Sequence, residues 1–114
     1  MVADEHLRID VRQDNDMVVL RLVGELDLAG APLFQSEIDS AEVGASAVVV
    51  LDLRELRFID STGLRVIFSA HDRSLERGQR FAVTNGSEQV QRLLSITRVG
   101  EHVRIVDSPE DMRG

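Results

Sequence analysis

Asp60, Ser61 and Thr62 stand in a row and are followed by Gly63, directly after the apolar pair Phe58-Ile59. Each of the three side chains carries an oxygen that can accept from a free backbone N–H in the first turn of a helix, a cap worth about 1 kcal/mol. One such residue is enough for a cap, and Phe58-Ile59 does not require the others. A hydroxyl at a helix start has a second use. Once phosphorylated, it becomes a group of about −1.5 to −2 charge that faces free N–H donors and the positive end of the helix dipole. A cap and a phosphoacceptor are compatible, and the run supports both.

Other chemistry finds less support in the residues. With no cysteine, disulfides, thiolate metal sites and thiol catalysis are excluded together. All 13 basic residues are arginine, which removes lysine-based chemistry as well. His6, His71 and His102 are scattered one per element, which is not metal-ligand spacing. His71 falls on an apolar helix face and reads as a packing residue. Ser61 lies outside any G-x-S-x-G elbow, so acyl transfer has no motif behind it. A single Asp-Ser-Thr-Gly differs from the D-[ST]-G of aspartic proteases, whose chemistry needs carboxylates from two copies. Glu25 and Asp27 stand near a strand end, where carboxylates are usually solvated. No cofactor loop accompanies Ser61, and no cofactor or metal is expected.

The bulk properties narrow the partners. A formal net charge of −7 disfavours nucleic acid and anionic membranes, which need a basic surface. No run of about 18 apolar residues is present, and Met1-Val2-Ala3-Asp4-Glu5-His6 lacks the features of a signal peptide. The chain reads as cytoplasmic. Its 114 residues suit one domain, residues 1–114, around one core.

The elements that must position Ser61 follow from periodicity. Leu7, Ile9 and Val11 alternate with polar residues as in a half-buried strand, and the turn formers Asp14-Asn15-Asp16 lead into a second strand, Met17 to Gly24. Gly30-Ala31-Pro32 opens a helix with Phe34, Ile38 and Ala41 inward, ending near Gly44. Ala47 to Leu51 reads as a central strand covered on both faces. After a short loop, a second helix runs from Ser61 to Arg77 with Leu64, Ile67, Phe68, His71 and Leu75 inward. Phe81 to Thr84 is a strand, Asn85-Gly86 a turn, and Ser87 caps a third helix with Val90, Leu93 and Leu94 inward. Val103 to Val106 closes the sheet, and Ser108-Pro109 starts a last helix. The order ββαβαβαβ predicts an α/β fold: a mixed sheet, antiparallel at its start and then parallel, with helices mainly on one side.

These segments, in this order, resemble the STAS family and in particular its anti-sigma factor antagonists. Phe58-Ile59-Asp60-Ser61-Thr62-Gly63-Leu64 is similar to the D-S-[ST]-G-L signature, Gly24-Glu25-Leu26-Asp27 to the G-E-[LI]-D segment, and Val90 to Thr97 to the pattern before the last strand. The resemblance covers almost the whole chain. It implies that Ser61 is the phosphoacceptor, with Thr62 second to it, and that Asp27, Asp60, Ser61, Thr62, Gly63 and Arg65 form the partner surface. It implies as partner an anti-sigma factor with a GHKL-type serine kinase fold. Unphosphorylated antagonist binds this factor and frees the sigma factor, phosphorylation breaks the complex, and a PP2C-type phosphatase restores it. A monomer or weak dimer is expected, and no catalytic residue. Arg65 and Arg98 depart from the family, which usually has glycine after the motif leucine and near Thr97. Arg65 stands one helical turn from Ser61, within reach of a phosphate or of a partner carboxylate. The other readings are a STAS module that senses a small ligand or scaffolds a signalling assembly, and a small hydrolase using Ser61.

Overall fold

A computed structural model describes residues 2–3 and 6–113 of the chain. Seven strands, β1 (Val2–Ala3), β2 (Leu7–Asp14), β3 (Met17–Leu26), β4 (Val48–Asp52), β5 (Leu56–Ile59), β6 (Arg80–Thr84) and β7 (Arg104–Val106), form one sheet. The helices are α1 (Ala31–Ile38), α2 (Ala41–Gly44), α3 (Ser61–Glu76) and α4 (Glu88–Ile96), with 3-10 turns at Val99–Glu101 and Pro109–Met112.

The sheet is mixed, as the order of elements predicts. β1, β2 and β3 pair antiparallel, while β3–β4, β4–β6 and β6–β7 are parallel. The β2–β3 hairpin turns at Asn15, whose φ of 56° is a left-handed conformation that asparagine tolerates. β3 is long enough to hold two partners along one edge: Met17–Arg21 pairs with β4, and Gly24–Leu26 pairs with β5.

Alternation along β3 divides the core. Val18, Leu20, Leu22 and Leu26 join Leu7, Ile9, Val49, Leu51 and Val83 beneath the helices, where Phe34, Ile38, Leu64, Ile67, Val90 and Leu94 cover them. Met17, Val19, Val48, Val50, Ala82 and Val106 face the other way and are covered by Met112 of the last 3-10 turn. β4 is therefore buried on both faces, the arrangement its continuous apolar run demands.

The structure corrects four local expectations. The helix expected from Gly30 to Gly44 is two helices, because the Ser40 hydroxyl accepts from the Val43 N–H at 3.3 Å and starts α2 afresh. Ala41 is consequently exposed, and Val43 takes the inward place. Leu75 is not part of the inner face of α3: it is 60% exposed, and Ala70 and Ser74 continue the buried stripe from Leu64 and Ile67. The loop expected between β4 and α3 contains β5, whose exposed Arg57 and Phe58 interrupt the alternation by which a strand is recognised. The final segment is the 3-10 turn Pro109–Met112, closed by a reciprocal cap between Ser108 and Asp111.

Candidate functional site

β3 and β5 run parallel with Leu26 opposite Ile59, so the residues that follow, Asp27 and Asp60, leave the sheet next to one another. The Asp60 N–H still donates to the Leu26 carbonyl, at 3.4 Å. From this shared end the two chains diverge, one into the turn before α1 and the other directly into α3.

Each aspartate organises its own turn. Asp60 is the N-cap of α3: its Oδ1 accepts from the Gly63 N–H at 2.9 Å, and its carbonyl accepts from the Leu64 N–H at 2.9 Å. Asp27 Oδ1 accepts from the N–H groups of Ala29 at 3.1 Å and Gly30 at 3.2 Å, while its carbonyl accepts from Ala31 at 3.0 Å. Gly63 is needed for a different reason. A Cβ there would lie 2.3 Å from the Leu26 carbonyl oxygen and 2.8 Å from Ile59 Cγ1, so only glycine lets α3 start so close to β3.

Ser61 is the first residue of α3 and is exposed. Among the described residues its hydroxyl has no hydrogen-bond partner, and the Ser61 and Thr62 N–H groups have no protein acceptor. The cap thus uses Asp60 and leaves the serine hydroxyl at the helix start, beside open donors and the positive dipole end. Thr62 is half-buried, and its hydroxyl accepts from Arg65 at 3.5 Å. Arg65 itself is exposed and lies along the first turn. His71 packs its ring edge-on against Phe81 at 5.6 Å, and His102 does the same against Phe68 at 6.2 Å. No helix among the described residues is long and apolar enough to cross a membrane.

The six residues singled out in the sequence, Asp27, Asp60, Ser61, Thr62, Gly63 and Arg65, therefore gather at one end of the sheet. Two further residues border them that the sequence did not single out. Leu28, after Asp27, is 74% exposed, and Phe58, two residues before Asp60, is 40% exposed. Periodicity is blind to both, since a loop leucine and a strand phenylalanine are expected inside.

A separate ionic cluster occupies the sheet face turned away from α3. Asp52 is almost fully buried at the end of β4; burial raises its carboxyl, but Arg54, bonded through Nε at 2.9 Å and Nη2 at 2.8 Å, outweighs this and holds it below the ordinary range. Asp10 is lowered mainly by its 2.6 Å bond to Arg21. This cluster joins the middle of the β2–β3 ladder, through Asp10 and Arg21, and the end of β4, through Asp52 and Arg54.

The sequence pattern of the STAS domain matches residues 8–112, nearly the full length of the chain. The chain belongs to the STAS domain family. Among curated STAS relatives, an anti-sigma-B factor antagonist from Listeria monocytogenes is 26% identical over 110 residues, covering 96% of each chain. An anti-sigma F factor antagonist from Paenibacillus polymyxa is 29% identical over 104 residues, covering 90% of this chain and 89% of that one. The STAS fold is shared with the crystal structure of an anti-sigma factor antagonist from Mycobacterium paratuberculosis: the TM-score is 0.83 at 19% identity, over 97% of this chain and 94% of the other.

Proposed function

We propose that the protein is an anti-sigma factor antagonist whose binding is switched off by phosphorylation of Ser61. The observation that carries this reading is the Ser61 hydroxyl: exposed, unpartnered among the described residues, and set on the first residue of α3. Family membership and the names of its relatives support the same reading.

The partner is an anti-sigma factor with a GHKL-type kinase fold, and it docks on the surface formed by Asp27, Asp60, Ser61, Thr62, Gly63 and Arg65. Leu28 and Phe58 supply exposed apolar area at its border, which a bound partner removes from water. In the unphosphorylated form the docked antagonist displaces the sigma factor. The kinase then transfers the γ-phosphoryl group of ATP to the Ser61 oxygen: the Oγ–P bond forms, the bond to ADP breaks, and the hydroxyl proton is lost. A PP2C-type phosphatase reverses the modification by hydrolysis, and the cycle runs in the cytoplasm. The antagonist itself contributes no catalytic group.

The phosphate acts by charge. At the start of α3 it meets free N–H donors, so the fold tolerates it. Against a partner carboxylate or bound nucleotide it is repelled: two unit charges about 6 Å apart at an effective dielectric near 20 interact by roughly 3 kcal/mol. Since about 1.4 kcal/mol is tenfold in affinity, the complex weakens by about a hundredfold or more. The test is incubation with ATP and the GHKL-type kinases of the same genome, followed by mapping of phosphate by mass spectrometry. Phosphate on Ser61 is expected; phosphate mainly on Thr62, Ser36, Ser40 or Ser87 refutes the assignment.

A further inference from the structure

Among the described residues β5 has a strand neighbour on one edge: β3 takes one side, and the other side faces the first turn of α4. That open edge is satisfied by side chains. Gln89 Oε1 accepts from the Ile59 N–H at 3.0 Å, and Gln89 Nε2 donates to the Ile59 carbonyl at 2.9 Å. Ser87, the N-cap of α4, donates its hydroxyl to the Arg57 carbonyl at 3.1 Å. One carboxamide thereby makes the pair of bonds that two opposed residues exchange in an antiparallel ladder. Turned over, it would set donor against donor and acceptor against acceptor, so the geometry admits one orientation.

The place of this contact gives it consequence. Ile59 lies two residues before Ser61, and it is the last residue of β5 before the cap. On the opposite edge the same segment pairs with β3 in a parallel ladder that places Leu26 opposite Ile59, followed by the Asp60 N–H to Leu26 bond at 3.4 Å. The pair to Gln89 is the hold on the other edge of the backbone from which α3 departs. Gln89 is 30 residues from Ile59 in sequence and, among the described residues, makes no hydrogen bond to the serine hydroxyl.

We infer that Gln89 is a positioning residue for the phosphoacceptor: its carboxamide clamps Ile59 and so sets where Ser61 is presented to a kinase. This inference rests on the assignment of Ser61 as the phosphoacceptor. Gln89 is itself exposed, so water replaces part of what its removal takes away, and the clamp governs placement more than overall stability.

The test compares wild type, Gln89→Ala and Gln91→Ala, the last an exposed α4 neighbour outside the contact. Amide exchange and backbone resonances are followed by NMR, and phosphate transfer to Ser61 is followed with the GHKL-type kinase of the same genome. Gln89→Ala raises exchange of the Ile59 amide by about tenfold and moves the Asp60 to Gly63 resonances. It lowers kcat for phosphorylation about threefold to tenfold while KM stays within about twofold, the mark of a misplaced acceptor and not of lost docking. Gln91→Ala changes none of these. Unmoved Asp60 to Gly63 resonances in Gln89→Ala, or a kcat no lower than in Gln91→Ala, overturns the clamp. Wild-type protein that takes no phosphate at Ser61 refutes the switch instead, and the resonances alone then decide on Gln89: if they stay unmoved, the clamp is overturned as well.

Discussion

The Leu26 carbonyl oxygen sits 2.3 Å from where a Cβ on Gly63 would stand. The first turn of α3 is thus pressed against the end of β3, and backbone atoms, which cannot rotate away, set the limit. Gly63→Ala must push α3 off the sheet. Overpacking of this kind costs about 1–3 kcal/mol, read as a lower urea or thermal midpoint, and it displaces Ser61 as well. An alanine variant as stable as wild type and phosphorylated at the same rate contradicts this close approach.

Asp60 caps α3, and on the proposed function its carboxylate also meets the anti-sigma factor; substitutions separate the two. Asp60→Ala removes the bond to the Gly63 N–H and destabilises the protein by about 1 kcal/mol. Asp60→Asn keeps an acceptor for that N–H but loses the charge. Its stability stays within about 0.5 kcal/mol of wild type, while affinity for the anti-sigma factor falls. If Asp60→Asn binds as tightly as wild type, the carboxylate is a cap and nothing more.

The local frame of this site is legible in the sequence. The run Asp60 to Gly63 announced a helix start, and α3 and α4 begin where that run and Ser87 put them, because caps are local and the residue types that make them are few. Tertiary relations were not legible. Ser40 restarting a helix, β5 hidden in a loop, and Leu75 turned outward all depend on what lies opposite, which periodicity along one segment does not contain. Gln89 was invisible for the same reason: a glutamine on a polar helix face gives no sign that a strand edge lies within reach of it.

Asp52 makes stability depend on pH with a defined sign. Its folded pKa lies below the ordinary value of 3.8, so the unfolded chain binds the proton more readily. The stability this group contributes is present above about pH 4–5 and is lost as pH falls through its folded value. Asp52→Asn is therefore less stable than wild type at neutral pH, and the gap closes on acidification. Urea midpoints for both proteins between neutral and strongly acid pH check this; a gap that widens toward acid contradicts the assignment.

Arg65 lies along the first turn of α3, with its guanidinium on the Thr62 hydroxyl. On the proposed function, a phosphate on Ser61 would stand one helical turn from this cation, which would offset part of the repulsion felt by a partner. Arg65→Gly deepens the loss of binding on phosphorylation by about threefold to tenfold, equivalent to about 1 kcal/mol. The check is the ratio of affinities of the two forms, measured in wild type and variant; an unchanged ratio removes Arg65 from the switch.

The most direct test is titration calorimetry of the GHKL-type anti-sigma factor with unmodified protein and with protein phosphorylated on Ser61, with circular dichroism of both forms. The account predicts tight binding of the unmodified form, a weakening of about a hundredfold or more on phosphorylation, and unchanged helix content. Equal affinity of the two forms, or a phosphorylated protein that has lost helix, contradicts an electrostatic switch at Ser61.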